Sequence, residues 1–515
     1  MLNHNRRGGP WQSRRQKCAV ALLTGLVSCA GVRGPGGVRP APAVERVEEL
    51  LAEPPLDRVH WGILVVDAES GQTLFERNPD LLFIPGSNMK LPVAVSALGL
   101  LGPEYRWDTA FFSLATPVNG LLDADLYLFG EGDPTLGSPF YESSAVAVER
   151  LVDSLVLAGV REVTGRLSVD VSAWDSASVP ESWMVEDLAG VAGATGGPFV
   201  LDRGELEISI RGADRAGDAA LVAWSPSGRD QVTPNTRPFM DNRVVTVGGE
   251  IGSPVRASFL PESRRWVIEG EIAVGDSLTL TLAARDPVRL AVSALSRALA
   301  ERDVRISETE IIWDRNVPIR TECAAGRLPA CPVTRRLAGI SSPPLIEVVS
   351  QILGPSQNWM TEQLVRTLGA ELGELGSWPE GFSVIQRFLE EEGQVRSEDV
   401  HWEDGSGLSN HNLITPRALV SILRYARGQS WGGAFRSGLA QPGLEGTTLA
   451  SRLLDLRGRL FAKTGSLSHV NTLSGHLIAN DGRELIFTIL TNGSNLRASQ
   501  VRAQIDALVV EFMRY

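Results

Sequence analysis

The chain has 515 residues, of which 43% are apolar and 21% charged, which excludes wholesale disorder and fibrous repeats and leaves material for several domains. The formal charge is −12, with no basic cluster after the first residues, so nucleic-acid binding, which needs a concentrated positive footprint, is set aside. Of the 49 basic residues only three are Lys (Lys17, Lys90 and Lys463). Arg keeps its proton at any working pH, whereas a buried or crowded Lys can give it up, so the surviving lysines are where chemistry is sought first.

Arg6, Arg7, Arg14, Arg15 and Lys17 lie in an N-terminal stretch with no acid, followed by an apolar run from Ala19 to Val27. That run is too short to span a bilayer and has the length of a signal-peptide core. Leu26-Val27-Ser28-Cys29 resembles a bacterial lipobox, which implies cleavage before Cys29 and diacylation of its thiol; ordinary signal cleavage near Ser28, Ala30 and Gly31 is the alternative. Residues 1–28 are therefore read as a signal segment of the lipoprotein type. Residues 29–44, rich in Gly, Pro and Arg, are read as a tether. The expected location is the bacterial cell envelope, on the periplasmic side, with the lipid as the one membrane contact. Lys17 is accounted for as export charge. Cys323 and Cys331 share a Pro-containing segment and are expected to form a disulfide in an exported protein. No His lies near them, and the six His show no ligand pairing, so neither a metal nor a cofactor is expected.

In chain order, Trp61–Val66 and Gln72–Phe75 read as two strands around a turn, and Ser87–Leu101 as a helix closed by Gly102-Pro103. From about 110 to 335 the pattern becomes β-rich, with alternating stretches at Leu126–Phe129, Leu167–Val171, Leu206–Ile210 and Ser277–Leu282. Helical patches fall at Ala145–Ala158 and Val288–Ala300. Helical patterning returns at Leu345–Leu353, Trp359–Leu372 and Val384–Glu391. A hairpin of Ser474–Ala479 and Glu484–Leu490 around Asn480-Asp-Gly482 follows, and a last helix from Arg497 to Met513. The simplest architecture is one α/β (α+β) domain in two pieces, 45–110 and 336–515, split by an insertion at 111–335 that divides into two subdomains.

Both remaining lysines sit in short motifs. Pro85-Gly-Ser87-Asn-Met-Lys90 is a Ser-x-x-Lys at a helix start, which sets hydroxyl and amine one turn apart on one face. A serine hydroxyl becomes a nucleophile when a base takes its proton, and a desolvated Lys near another cation is such a base. Ala462-Lys463-Thr464-Gly465-Ser466 fits a strand edge, where Gly admits a substrate strand, Thr offers a hydroxyl and Lys a second positive charge. Ser356-Gln357-Asn358 supplies a polar pair for the opposite wall. Singly each has a plain structural reading: a surface turn for Ser-x-x-Lys, a helix cap for Ser356, an exposed turn for Lys-Thr-Gly. In this order, with two of the chain's three lysines in them, they point to one site.

These motifs resemble those of penicillin-binding proteins and serine β-lactamases. Three features narrow the resemblance: the 266 positions between Lys90 and Ser356, Phe129-Gly-Glu-Gly-Asp-Pro-Thr-Leu136, and Asp404-Gly-Ser-Gly-Leu-Ser409. Together they resemble the class C low-molecular-mass penicillin-binding proteins, the DacB-type D-alanyl-D-alanine carboxypeptidases/endopeptidases. The resemblance implies a transpeptidase-like domain split by the insertion, a DD-peptidase acting on peptidoglycan stem peptides, and inhibition by β-lactams. It implies Ser87 as nucleophile, Lys90 as base, Ser356 as proton relay to the leaving amine and Asn358 as a holder of Lys90 and a substrate amide. It also implies Lys463 tuning the field at Ser356, Thr464 and Ser466 on the terminal carboxylate beside Gly465, and the N–H groups of Ser87 and Ser466 as oxyanion hole.

Gln357 stands where Asp is commoner in the family, and Pro92 fits only within a first helical turn. Asp133-Pro-Thr and Asp404-Gly-Ser are read as structural Asx and Gly turns. Gly428-Gln-Ser430-Trp-Gly432 matches a nucleophile elbow in letters, but the helical run before it argues against one. The competing functions are a β-lactamase or esterase on the same fold and a non-catalytic peptidoglycan-binding protein.

Overall fold

The computed structural model describes residues 43–194, 196–225, 240–249, 252–260, 262–263, 265–313 and 335–515. Cys29, Cys323 and Cys331, and with them the lipidation and disulfide expectations, lie outside these residues.

Helix α1, Ala43–Ala52, begins inside the stretch read as tether, because Val47 and Leu51, one turn apart, bury together. Strands β1 (His60–Asp67) and β2 (Thr73–Arg77) follow, and then a 3-10 turn, Gly86–Met89, runs directly into α2, Lys90–Leu101. Pro92 is the third residue of α2, within the first turn, where its missing N–H has no helical partner to lose.

The chain leaves this unit along a strand at Asp108–Ser113 and returns along Arg335–Ser341, the two paired antiparallel. Between them Leu126–Phe129, α3 (Ser144–Leu157) and Leu167–Asp170 form a crossover, so the two strands pair parallel. Helix α4, Pro287–Glu301, leads to Thr309–Ile312, which adds parallel to Leu167–Asp170. The β-rich reading of this region thus holds a mixed α/β sheet as well as antiparallel layers. The latter include Glu205–Arg211 between Leu221–Ser225 and Ser277–Ala283, a sheet that shares a separate apolar core around Ile208, Val244 and Trp266 with a mixed sheet in which Met240–Val247 runs parallel to Arg265–Ala273.

Helices α5 (Leu345–Leu353), α6 (Asn358–Leu372), α7 (Trp378–Glu391), α8 (Pro416–Gly428) and α9 (Gly432–Gly438) come next. Helix α7 starts before the expected Val384 because Ser377 Oγ accepts the Glu380 N–H at 3.3 Å and Pro379 sits in the first turn. Gly428-Gln-Ser430-Trp-Gly432 joins α8 to α9 with no strand before it, so it is not an elbow. Strands β3 (Leu460–Leu467), β4 (Val470–Ile478) and β5 (Glu484–Asn492) and helix α10 (Ala498–Phe512) complete the chain.

The five strands form one antiparallel sheet in the order β3-β4-β5-β1-β2. Strand β1 is apolar on both faces: Ile63 and Val65 join the core with α1 and α10, Leu64 and Val66 the core with α2 and α8. That second core is continuous with the insertion, since Phe111, Leu128, Val169 and Leu295 belong to it along with Leu364 of α6. Shared close packing holds α6 and the insertion's mixed sheet in one register.

Candidate active site

Ser87 lies in the 3-10 turn and Lys90 opens α2, so residues three apart stack on one side and Lys90 Nζ meets Ser87 Oγ at 3.0 Å. Lys90 is fully buried, at 0% exposure. Its Nζ also donates to Asn358 Oδ1 at 2.7 Å and to the Ser406 carbonyl at 2.6 Å. Burial lowers the amine to about 7, while the carboxylates of Asp404 and Glu362 pull the other way.

The second motif lies at the entrance to α6. Ser356 adopts a left-handed backbone, φ +68°, which few residues other than glycine keep. Its Oγ accepts from Lys463 Nζ at 2.7 Å. The cap of α6 is Gln357, whose Oε1 accepts the Trp359 N–H at 2.8 Å, so Ser356 is spared that duty. This also accounts for Gln at the middle of the motif. Asn358 reaches Lys90 with its oxygen and donates its Nδ2 to the Ala192 carbonyl of the insertion at 3.0 Å.

Lys463, Thr464, Gly465 and Ser466 lie on β3, the edge strand. Lys463 is fully buried and also donates to the Thr464 carbonyl at 2.8 Å. Burial and the neighbouring Lys90 charge push its amine well below the ordinary value, which works against the positive charge expected from sequence. Thr464 Oγ1 donates to Thr448 Oγ1 at 2.7 Å, adding a second hydroxyl to that wall. A Cβ on Gly465 would stand 2.2 Å from Thr472 Oγ1, 2.8 Å from the Pro85 carbonyl and 3.0 Å from the Ser87 nitrogen. Only Gly therefore lets β3 lie against the Ser87 turn. Beside Ser356 and Asn358 a cavity of about 370 Å³ opens, walled on the insertion side by Pro139, Ala192 and Arg203 and on the other by Gln351.

Two contributors escape the motif reading. Asp404 is structural as expected, with Oδ1 accepting from Gly407 N and Asn412 Nδ2 (both 2.7 Å), and Oδ2 from Ser409 N (2.6 Å) and Trp183 Nε1 (2.7 Å). Yet the turn it folds also delivers the Ser406 carbonyl to Lys90. Gly407, at φ +78°, is required there, because a Cβ would fall 1.9 Å from the Gly86 carbonyl. The other is Glu362, buried on α6 and raised to about 7 by burial and by the Asp404 charge. Its signal in the sequence is an acid four residues after Asn358, hence on the same helix face. The Asp133 turn remains structural, its Oδ1 accepting from Thr135 N (2.8 Å) and Oγ1 (2.7 Å).

The site thus gathers the Ser87 hydroxyl, two buried amines and the Asn358 amide, and comparison with known proteins gives the family and the fold. A D-alanyl-D-alanine carboxypeptidase of Actinomadura sp. (strain R39) is 30% identical over 100% of this chain and 93% of its own length. D-alanyl-D-alanine carboxypeptidase DacB of Haemophilus influenzae is 22% identical over 84% of the chain and 85% of its own. The crystal structure of penicillin binding protein 4 (dacB) from Haemophilus influenzae superposes with a TM-score of 0.73 at 20% identity, covering 91% of this chain and 99% of that one. The same protein complexed with a β-lactam gives 0.69 at 19%, over 91% and 100%. The fold is that of a penicillin-binding protein. The model of the D-Ala-D-Ala carboxypeptidase 3 (S13) family matches residues 43–512, from α1 through the insertion to the end of α10, and the chain belongs to that family.

Proposed function

We propose that the chain is a serine DD-peptidase that acts on the D-Ala-D-Ala ends of peptidoglycan stem peptides, and on D-Ala–diamino acid cross-links by the same chemistry. The observation that carries this is Lys90 Nζ, held between Ser87 Oγ (3.0 Å) and Asn358 Oδ1 (2.7 Å) with its amine near 7. Lys90 takes the Ser87 proton as Oγ attacks the penultimate D-Ala carbonyl. The oxyanion lies between the N–H groups of Ser87 and Ser466, where a donor is worth about 10²–10³ in rate. As the C–N bond breaks, the proton reaches the leaving amine through Ser356, whose Oγ already accepts from Lys463. Thr464, Ser466 and the adjoining Thr448 offer hydroxyls to the terminal carboxylate. Asn358 Nδ2 exchanges the Ala192 carbonyl for a substrate amide oxygen. Water then cleaves the Ser87 ester, returning its proton through Lys90.

β-Lactams, which mimic the D-Ala-D-Ala end, acylate Ser87 by the same attack and deacylate slowly. Support for this comes from the β-lactam complex of the Haemophilus influenzae relative. The N-terminal pattern supports a location in the cell envelope, on the periplasmic side, with an anchor through Cys29. Product analysis on purified cross-linked muropeptides tests the function: release of D-Ala, or of monomeric muropeptides, by wild type and by neither in Ser87→Ala supports it. Equal release by both would overturn it. Rapid turnover of a fluorescent penicillin would assign the chain to the β-lactamases instead.

A further inference from the structure

A neutral amine has two N–H bonds and one lone pair. In Lys90 the N–H bonds have two acceptors, Asn358 Oδ1 at 2.7 Å and the Ser406 carbonyl at 2.6 Å, which leaves the lone pair for the Ser87 hydroxyl at 3.0 Å. The aim of the base is therefore set by those two acceptors. We propose that Glu362 is a positioning residue of the reaction: by holding the Gly405 and Ser406 N–H groups it anchors the two peptides before the Ser406–Gly407 one, whose N–H Asp404 holds, and so sets the Ser406 carbonyl as the second acceptor and turns the Lys90 lone pair onto Ser87. The inference rests on Lys90 being the base.

Glu362 follows Asn358 by four residues on α6, so one helix face governs both acceptors, Asn358 directly and Ser406 through Glu362. Its Oε2 accepts the Gly405 N–H at 3.0 Å and Trp378 Nε1 at 2.8 Å, and its Oε1 the Ser406 N–H at 2.7 Å. Two consecutive peptide N–H groups are thus clamped by one carboxylate. An amide in its place would turn an NH₂ against one of them, because only a carboxylate accepts on both oxygens. Glu362 is 1% exposed; the Arg366 charge one turn further along α6 acts on it, but the Arg366 ion pair is made with Asp175. A charge so placed is costly; the three N–H groups offset part of that cost, and burial with the Asp404 charge still holds the carboxyl at about 7.

The titratable groups facing Lys90 are Glu362 from α6, Asp404 from the turn and Lys463 from β3. Glu362, raised to about 7, carries its charge in the upper part of the range, and removing that charge takes away part of what keeps Lys90 protonated there, so the amine becomes neutral at lower pH. Loss of the Ser406 anchor separately spoils the aim. The two effects have different signatures, one in the pH limb and one in the plateau.

The test is the rate of acylation by a fluorescent penicillin from about pH 5 to 9 for the full chain, Glu362→Gln and Trp378→Phe, with thermal unfolding to establish that each variant is folded. Glu362→Gln is expected to lose roughly 10–100-fold at the plateau and to move the acid limb to lower pH. Trp378→Phe removes one donor from Glu362 and leaves the backbone clamp. Its limb should move the same way by less, with the plateau within about threefold. A wild-type profile for Glu362→Gln, or a lowered plateau with an unmoved limb, overturns the inference. Should Glu362→Gln fail to fold, a Trp378→Phe profile superimposable on wild type overturns it. Normal acylation by Lys90→Arg would instead overturn the assignment of Lys90 as base.

Discussion

Lys90 and Lys463 stand 373 positions apart, are both completely buried, and face the same cleft in different electrostatic surroundings. Two carboxylates, Asp404 and Glu362, act on Lys90 against burial, and the balance leaves its amine near 7. Lys463 has as neighbours Ser356 Oγ, its own strand's Thr464 carbonyl and the charge of Lys90, with no carboxylate among the described residues acting on it, so it is pushed well below the ordinary range. The same residue type thus does two things. An amine balanced near neutrality can take and return a proton during turnover. An amine that burial drives away from charge serves as a fixed donor that orients Ser356.

The largest effect expected from this contrast is for Lys90→Arg. Guanidinium cannot act as base, so penicillin labelling should fall by about 10³-fold or more. Normal labelling would erase the distinction between the lysines. Lys463→Ala should cost less, about 10² in the same rate, because Ser356 loses its donor while the three contacts of Lys90 stay. A loss as deep as that of Lys90→Arg would mean that the second amine is also a proton carrier.

The contrast also predicts a pH profile. Lys90 must be neutral to accept the Ser87 proton, so acylation should drop about tenfold per pH unit below about 7 and level off above it. A flat profile across that range would put the base elsewhere. The same depressed amine affects stability in a defined direction. Between about 7 and the value of an ordinary lysine the unfolded chain holds a proton that the folded chain has released, so stability falls as pH falls through that window. The smallest effect concerns the wall opposite Lys463: Gln357→Ala should cost about 1 kcal/mol in denaturant unfolding, through the lost cap of α6. No measurable loss would mean that Ser356 or water takes over the cap.

Strands β1 and β4, helices α2, α5, α6 and α10, and the strands at Leu126 and Leu167 were legible because apolar periodicity and cap residues are local. The early start of α7 was legible too, in Ser377 and Glu380, but the apolar run from Val384 is the louder signal. The parallel pairing inside the insertion was not. Whether Leu126–Phe129 meets Leu167–Asp170 in parallel depends on where α3 carries the chain, not on either strand's own residues.

At the site, sequence alone picked out the side chains that the fold brings together. Ser-x-x-Lys, Ser-x-Asn and Lys-Thr-Gly are short patterns, and a chain with three lysines makes two of them conspicuous. Tertiary structure decided the protonation and aim of those side chains. Ser406 acts through a backbone carbonyl, which no residue type advertises, and Glu362, Asp404 and Lys463 come from α6, a turn and β3 to surround Lys90. A pKa is set by burial and by charges close in space, and that closeness exists only after the chain has folded.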